Sequence, residues 1–209
     1  MQITGIIPLD KKRSRVYIDE EFAFVLYKGE LRKLGINEGE DLDEETYREI
    51  SEVLLPKRAK LRAMNLLKSR TYTEKQLRDK LRDGEYPKEI IDAAIEYVSS
   101  YNYINDQRYA EEYIRIHASD KSRTRMKQDL IKKGIGSGTI EAAFEMCEEE
   151  GFGADELAQA LKLLEKRGYT GLDGIDPKEW NKHYAFLARR GYSSEIIRKA
   201  MGGDLHNYT

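Results

Sequence analysis

The sequence contains a single cysteine and three histidines among 209 residues. One thiol, that of Cys147, excludes an internal disulfide and any zinc site built from several cysteines, and this usage fits a reducing compartment. No apolar run approaches the length of a membrane-spanning helix, and residues 1–10 lack the apolar core of a secretory signal. We therefore expect a cytoplasmic protein with no membrane partner.

Sequence motifs of known catalytic centres are also missing. The chain has no Walker A loop, no zinc-ligand cluster and no nucleophile elbow. His117, His183 and His206 lie far apart in sequence, so we interpret them as surface or helix-packing residues. We interpret Cys147 as a small, partly buried apolar residue. We expect no catalytic residues, no enzyme activity, no cofactor and no metal site.

Charge is abundant and unevenly distributed. Charged residues make up 35% of the chain, the formal net charge is -2 and the mean hydropathy is -0.72. Residues 57–82 carry ten basic residues against two acidic ones, a local balance of +8, whereas residues 38–52 and 141–156 each carry -7. Because the local balances differ so strongly in sign, the net charge says little about the partners of the protein.

The first fifty residues differ from the remainder of the chain. Three short runs of β-type residues lie between residues 3 and 27 and are separated by charged turns, which predicts a small β-hairpin-like element. Asp43 is placed to cap a helix that Pro56 ends or kinks. Downstream of Pro56 the pattern is that of helices and turns.

An internal repeat organises this helical part. Residues 81–95, 130–144 and 187–201 align without gaps. Each segment begins with a leucine that ends one helix, passes a turn containing glycine, and enters a second helix with isoleucine and, three residues on, alanine. We expect the aligned positions to be buried: Leu81, Ile91 and Ala94; Leu130, Ile140 and Ala143; Leu187, Ile197 and Ala200.

A further helical segment precedes each copy, so the repeating unit has three helices, which in the first copy are expected at residues 57–69, 74–83 and 88–101. Thr73 with Gln76 forms a capping-box signature for a middle helix, and Asp176-Pro177 with Glu179 forms another. A turn-rich insertion is expected at residues 168–177.

We predict a mainly α fold of three tandem three-helix repeats, because three helices with narrow apolar faces must stack on neighbours to bury them. The predicted segments are an N-terminal extension with a linking helix at 1–55 and repeats at 56–104, 105–153 and 154–209.

Three stretches of this sequence resemble the RecX family. They are SRTYTEKQLRDKL at residues 69–81, YNYINDQRYAEEYIR at 101–115 and SRTRMKQDLIKKGI at 122–135, and the similarity extends over roughly residues 57–202. Lys133-Gly134 and Arg190-Gly191 keep a basic residue before glycine, whereas the first repeat has Gly84-Glu85 at this place.

The resemblance implies an elongated, curved molecule that lodges in the helical groove of a RecA filament on DNA. It also implies regulation of RecA, usually inhibition of its ATP-dependent recombinase activity, together with weak, non-specific binding to single- or double-stranded DNA. We expect a monomer.

Basic rows on the helices are the candidate binding residues. At about 100° per residue, Lys75, Arg78 and Arg82 share one helix face, and similar rows occur in the other repeats. Such rows can follow a phosphate backbone or an acidic protein groove. The predicted filament- or DNA-binding residues are Lys75, Arg78, Arg82, Arg123, Arg125, Lys127, Lys132, Lys133, Lys178, Lys182 and Arg189.

Two alternatives stay open at this point. The basic rows fit equally a set of ordinary solvated helix faces, and the basic segments alone also fit an autonomous nucleic-acid-binding repeat protein. Tyr97 is expected to pack in the core, and Tyr101 and Tyr103 are expected at the joint between the first two repeats.

Overall fold

The computed structural model describes residues 1–171 and 176–202. His206 and part of the insertion expected at residues 168–177 lie outside the described residues. The chain divides into two compact units, Met1–Asn105 and Asp106–Thr209. The first unit holds a β-sheet and one three-helix repeat, and the second holds two further repeats. The finer division into four segments stays a prediction.

The N-terminal element is a three-stranded antiparallel sheet with the order β1-β2-β3, one strand larger than the hairpin-like element predicted from the sequence. Its strands are β1 (Ile3–Pro8), β2 (Arg13–Ile18) and β3 (Glu21–Tyr27). Alternate residues of β2 are buried, because successive side chains of a strand point to opposite faces. Helix α1 (Lys28–Leu34) follows β3 and ends at Gly35.

A nearly continuous helical path leads from the sheet into the first repeat. The carboxylate of Asp43 accepts a hydrogen bond of 2.8 Å from the backbone N–H of Thr46 and caps α2 (Glu44–Arg48), as predicted. A π-helical segment (Glu49–Leu54) follows and leads into α3 (Leu55–Ser69). Pro56 lies in the first turn of α3, where its missing N–H is tolerated, so it marks the change from π-helix to α-helix.

The first repeat consists of α3, α4 (Glu74–Arg82) and α5 (Lys88–Ser100), within a few residues of the predicted bounds. The capping box that starts α4 is confirmed: the Thr73 hydroxyl accepts from the backbone N–H of Gln76 at 3.2 Å, and the Gln76 side chain accepts from the backbone N–H of Thr73 at 3.3 Å. Leu77 and Leu81 of α4 are fully buried against the core that α3 and α5 supply.

The second unit repeats this arrangement twice. Its helices are α6 (Asp106–His117), α7 (Arg123–Lys132), α8 (Ser137–Glu149), α9 (Glu156–Glu165), α10 (Pro177–Arg189) and α11 (Ser194–Ala200). The repeat-based prediction of the core is confirmed here and in the first unit. The nine aligned positions are all buried: Leu81, Ile91, Ala94, Leu130, Ile140, Ala143, Leu187, Ile197 and Ala200.

The two repeats of the second unit meet where the Ser122 side chain contacts the backbone of Arg190. The Ser122 hydroxyl, just before α7, donates to the carbonyl oxygen of Arg190 at 2.8 Å and also accepts from the backbone N–H of Arg125 at 3.2 Å. Gly191 has a positive φ of 86°, and a Cβ at this place would lie only 2.8 Å from the Ser122 hydroxyl oxygen. Glycine is therefore required at Gly191 both by its backbone conformation and by the neighbouring repeat.

Candidate functional site

The predicted basic face of α4 is present, but acidic residues of the same helix accompany it. Lys75 and Arg82 are exposed, and both contact the Asp79 carboxylate, at 2.8 Å and 2.7 Å. The hydrogen bonds from Lys75 and Arg82 hold the pKa of Asp79 below its ordinary value. Asp79 therefore offsets part of the positive charge that the sequence pattern suggested for this face.

Arg78 is the most enclosed member of the α4 face. Its side chain is 30% exposed, and its guanidinium pairs with Glu74 at 2.7 Å and with Asp92 of α5. The contact with Asp92 ties α4 to α5. Arg78 therefore has a structural role in the first unit, in addition to the binding role predicted from the sequence.

In the second repeat, acidic residues also neutralise part of the predicted basic face. Arg123 and Lys127 lie on one face of α7, as predicted, and both contact Glu141 of α8, at 2.9 Å and 2.5 Å. Arg123 also pairs with Glu148, and its guanidinium carbon lies 4.2 Å from the centre of the Phe144 ring. Because Arg123 bridges α7 and α8 over an aromatic ring, we interpret it mainly as a packing residue.

The remaining predicted cations of the second repeat differ in their surroundings. Arg125 is 45% exposed and lies 3.5 Å from Asp129, whereas Lys132 is exposed at the end of α7. Lys133 is partly buried, with its ammonium 5.5 Å from the ring centre of Tyr109 and 5.6 Å from that of Tyr113.

A polar network holds the loop between α6 and α7. Lys121 donates to the Tyr113 hydroxyl at 2.6 Å and to Asp129 at 3.1 Å, and the Tyr113 hydroxyl donates to Asp129 at 2.9 Å. Burial raises the pKa of Tyr113 above its ordinary value. We interpret this network as structural, because each of its members has a partner within the second repeat.

In the third repeat, Lys178 and Arg189 are exposed at the two ends of α10, and Lys182 pairs with Glu179 at 2.5 Å. Trp180 and Tyr184 stack with ring centres 5.2 Å apart and pack against the core of this repeat. The basic and apolar sides of α10 are therefore separate, as the sequence predicted.

A second basic surface, on α3, was not among the residues predicted from the sequence. Lys57 and Lys68 are exposed and Lys60 is partly buried, and none of the three forms an ion pair with a carboxylate in the part of the chain that the structure describes. We call Lys57, Lys60 and Lys68 the α3 lysines. The available signal was the balance of +8 in residues 57–82, which is strongest before Glu74.

The turn after each middle helix has a shared backbone conformation. Glu85, Gly134 and Gly191 occupy equivalent positions and have positive φ values of 58°, 93° and 86°. Glu85 is the exception in residue type, and Arg15 of β2 explains it: the Arg15 guanidinium donates to the Glu85 carboxylate at 2.7 Å and 2.5 Å. The first repeat therefore has Glu85 where the other repeats have glycine, and Glu85 contacts the N-terminal sheet through Arg15.

Cys147 and the described histidines have packing surroundings. Cys147 is fully buried, and burial raises the pKa of its thiol. His183 is buried beside Tyr169, with ring centres 5.1 Å apart, and His117 lies 4.4 Å from the ring of Tyr113. Within residues 1–171 and 176–202, no three His, Cys, Asp or Glu side chains are grouped so that they could hold a metal ion. The helices in these ranges are also too short or too polar to cross a membrane.

A cavity of about 310 Å³ lies between the second and third repeats. Apolar side chains from both repeats line it, among them Ile114, Cys147, Leu157 and Ile196. At its edge Glu156 accepts a hydrogen bond of 2.7 Å from the backbone N–H of Arg123, the first residue of α7. We interpret the cavity as a packing gap between repeats.

The fold defines a helical repeat protein in which three-helix units follow one another and a small sheet precedes them. Models of the first, second and third three-helix domains of RecX match residues 59–97, 105–143 and 154–201. The chain belongs to the RecX family.

Individual relatives match over nearly the whole chain. The regulatory protein RecX of Clostridium perfringens (strain SM101) is 33% identical over 198 residues, which cover 90% of this chain and 89% of the relative. That of Clostridium acetobutylicum is 31% identical over 197 residues, with 93% and 92% covered. A crystal structure of a regulatory protein RecX shares 25% identity, covers 97% of this chain and 99% of its own, and has a TM-score of 0.64.

Proposed function

We propose that this protein regulates RecA by binding the RecA nucleoprotein filament and lowering its ATPase and strand-exchange activities. The observation that carries the proposal is the match of all three repeats, in order, to the three RecX domains. The relatives that match over most of their length are regulatory proteins by name, and this agrees with a regulatory role.

The exposed cations give the proposal a physical basis. Lys132 and Arg189 are the last residues of the middle helices of the second and third repeats, at equivalent positions, and both are exposed. The α3 lysines add a basic surface in the first repeat. A filament presents the same acidic groups at regular intervals, so cations that recur from repeat to repeat suit it better than one isolated patch does.

Lys132 and Arg189 also have a local explanation, because a cation at the C-terminal end of a helix interacts favourably with the helix dipole. That interaction contributes about 0.3–1 kcal/mol to stability and needs no partner. A binding experiment with a stability control separates the two roles.

The direct experiment is co-sedimentation of the protein with RecA assembled on single-stranded DNA. The Lys132→Glu/Arg189→Glu variant should bind the filament more weakly than the parent. Lys11→Glu/Lys12→Glu is the matched control, since it makes the same change in net charge at two exposed cations between β1 and β2, outside the repeats. Equal co-sedimentation of the double variant, the control and the parent would show that these two cations are not part of the proposed interface.

The α3 lysines, which form no ion pair with a carboxylate among the described residues, favour one alternative, an autonomous nucleic-acid-binding protein that acts without RecA. The two functions differ in their preference between bare single-stranded DNA and the same DNA coated with RecA. We expect clearly tighter binding to the coated DNA. Comparable affinity for both would favour the alternative.

A further inference from the structure

Two neighbouring tyrosines form an exposed aromatic stack at the end of the first repeat. The rings of Tyr101 and Tyr103 are nearly parallel, with centres 5.6 Å apart and planes at 18°. Their side chains are 57% and 51% exposed. Tyr97 meets Tyr101 edge-on, with ring centres 5.2 Å apart and planes at 62°. Two half-exposed aromatic rings therefore lie side by side at the end of the first repeat.

Backbone hydrogen bonds define the turn that carries Tyr101 and Tyr103. The backbone N–H of Tyr103 donates to the carbonyl of Val98 at 3.0 Å, and that of Asn102 donates to the carbonyl of Ser99 at 2.8 Å. Asn102 adopts a positive φ of 54°, a conformation that asparagine tolerates better than most residues. Ile104, the next residue after Tyr103, is buried in the core of the repeat. The main chain that carries the two rings is thus fixed by local hydrogen bonds.

Positive charge borders the aromatic stack. The Lys60 ammonium lies 5.0 Å from the ring centre of Tyr97, and α3 packs directly against α5. At about 100° per residue, Lys57, Lys60 and Lys68 fall within an arc of about 80° on α3. Lys57 and Lys68 therefore lie on the same side of α3 as Lys60, and Lys60 is the lysine that contacts Tyr97.

We propose that Tyr101 and Tyr103, with Tyr97 behind them and the α3 lysines beside them, form a stacking platform for the bases of single-stranded nucleic acid. The bases of a single strand can stack on the exposed rings, and its phosphates can pair with the lysines. Lys60 contacts Tyr97, whereas Lys57 and Lys68 are exposed and form no ion pair within residues 1–171 and 176–202, so both are available to phosphates. The inference does not depend on RecA and adds to the proposed function a direct contact with the strand.

The test measures binding of a fluorescently labelled oligo-dT of 20 nucleotides to the full chain by anisotropy at low salt, without RecA. Stacking contributes about 1–3 kcal/mol per base, so Tyr101→Ala/Tyr103→Ala should weaken binding at least about fivefold. Tyr101→Phe/Tyr103→Phe keeps both rings and should bind within about twofold of the parent. Phe22→Ala, which removes an exposed ring from the sheet, should have no effect.

An abasic strand of the same length isolates the contribution of the bases. The parent should prefer oligo-dT to the abasic strand, and the Ala/Ala variant should lose this preference while keeping the part of the affinity that comes from the lysines. Circular dichroism checks the fold, and Tyr103→Ala alone, outside α5, repeats the test if the double variant unfolds.

Full affinity of the Ala/Ala variant for oligo-dT, or no binding by the parent, would overturn the platform. Loss of RecA-filament binding by the Ala/Ala variant with unchanged oligo-dT binding would also overturn it and would identify the tyrosines as a protein contact. Failure of the parent to bind RecA filaments, by contrast, bears on the proposed function and leaves the oligo-dT result standing.

Discussion

Arg15 in the N-terminal sheet holds the carboxylate of Glu85 in the first helical repeat through two hydrogen bonds of 2.7 Å and 2.5 Å. Glu85 has a φ of 58°, a conformation that the two other repeats assign to glycine at Gly134 and Gly191. In the first repeat, Glu85 therefore adopts a strained backbone conformation, and its side chain links the repeat to the sheet.

This relationship predicts that one substitution has effects of different size in two backgrounds. In an Arg15→Ala protein, Glu85→Gly should raise the free energy of unfolding by about 1 kcal/mol, because glycine relieves the left-handed conformation. In the parent it should gain little, because the ion pair is lost as well. Urea unfolding of the four proteins in this cycle measures both effects. An equal gain in both backgrounds would show that the ion pair contributes nothing.

The same pair predicts a pH dependence. Arg15 lowers the pKa of Glu85 below its ordinary value of 4.5. A carboxylate whose pKa is lower in the folded state stabilises the fold above its unfolded pKa, and this contribution is lost as the pH falls through the folded pKa. The stability difference between the parent and Arg15→Ala should therefore be present at pH 7 and shrink below about pH 4.5. A difference that is constant from pH 7 to pH 3 would contradict this.

Gly191 tests the contact between the second and third repeats. Gly191→Ala should destabilise the protein by clearly more than 1 kcal/mol, because the new Cβ meets the Ser122 hydroxyl in addition to the strain of a positive φ. Gly168→Ala is the matched control, since Gly168 has a φ of 72° and open space around its Cβ position. Thermal unfolding should rank Gly191→Ala below Gly168→Ala. Equal losses would mean that the repeats can separate at this point at little cost.

The repeat-based core predicts the effect of a single truncation. Ile140 is fully buried, so Ile140→Ala should lower the free energy of unfolding by about 2–5 kcal/mol. Met146→Ala, on the exposed side of the same helix, should change it by less than about 0.5 kcal/mol. Chemical denaturation compares the two, and similar small losses would place the core elsewhere.

Much of this core could be predicted from the sequence alone. The spacing of Leu130, Ile140 and Ala143 is a local property of two helices and a turn, and it recurs in each repeat. Capping at Asp43 and Thr73 is equally local, because each side chain bonds to a backbone N–H three residues away. Local spacings of this kind can be recognised from the periodicity of apolar residues and from capping residues in the sequence.

The electrostatic partners of the basic rows could not be predicted in this way. Whether Arg123 and Lys127 face solvent or Glu141 depends on how α8 rotates against α7, and that angle follows from packing of the whole repeat. The Arg78 contact with Asp92 is likewise tertiary. Counting cations on one helix also left out the acidic residues on the same face, such as Asp79. The α3 lysines were missed for the same reason, because only the fold shows that they form no ion pair with the carboxylates it describes.

Within the described residues, carboxylates neutralise part of the charge of the α4 cations but not that of the α3 lysines. This difference predicts which of the two basic surfaces contributes more to the binding of single-stranded DNA. One triple variant changes Lys57, Lys60 and Lys68 to Gln, and the other changes Lys75, Arg78 and Arg82 to Gln. If the α3 lysines face phosphates, their loss should flatten the slope of log affinity against log salt by up to about 2, at roughly 0.7 per contact. The α4 variant should change the slope less, since Asp79 and Glu74 compete with phosphate for its cations. A larger change for the α4 variant would reverse the ranking.

The most direct test of the account is the rate of DNA-dependent ATP hydrolysis by RecA, measured while this protein is titrated into filaments preassembled on single-stranded DNA. We predict that the rate falls with increasing concentration of the parent, and that the variant lacking Lys132 and Arg189 needs a higher concentration for the same effect. An unchanged rate of hydrolysis at every concentration, with a protein shown to be folded, would contradict the proposal that it inhibits RecA on the filament.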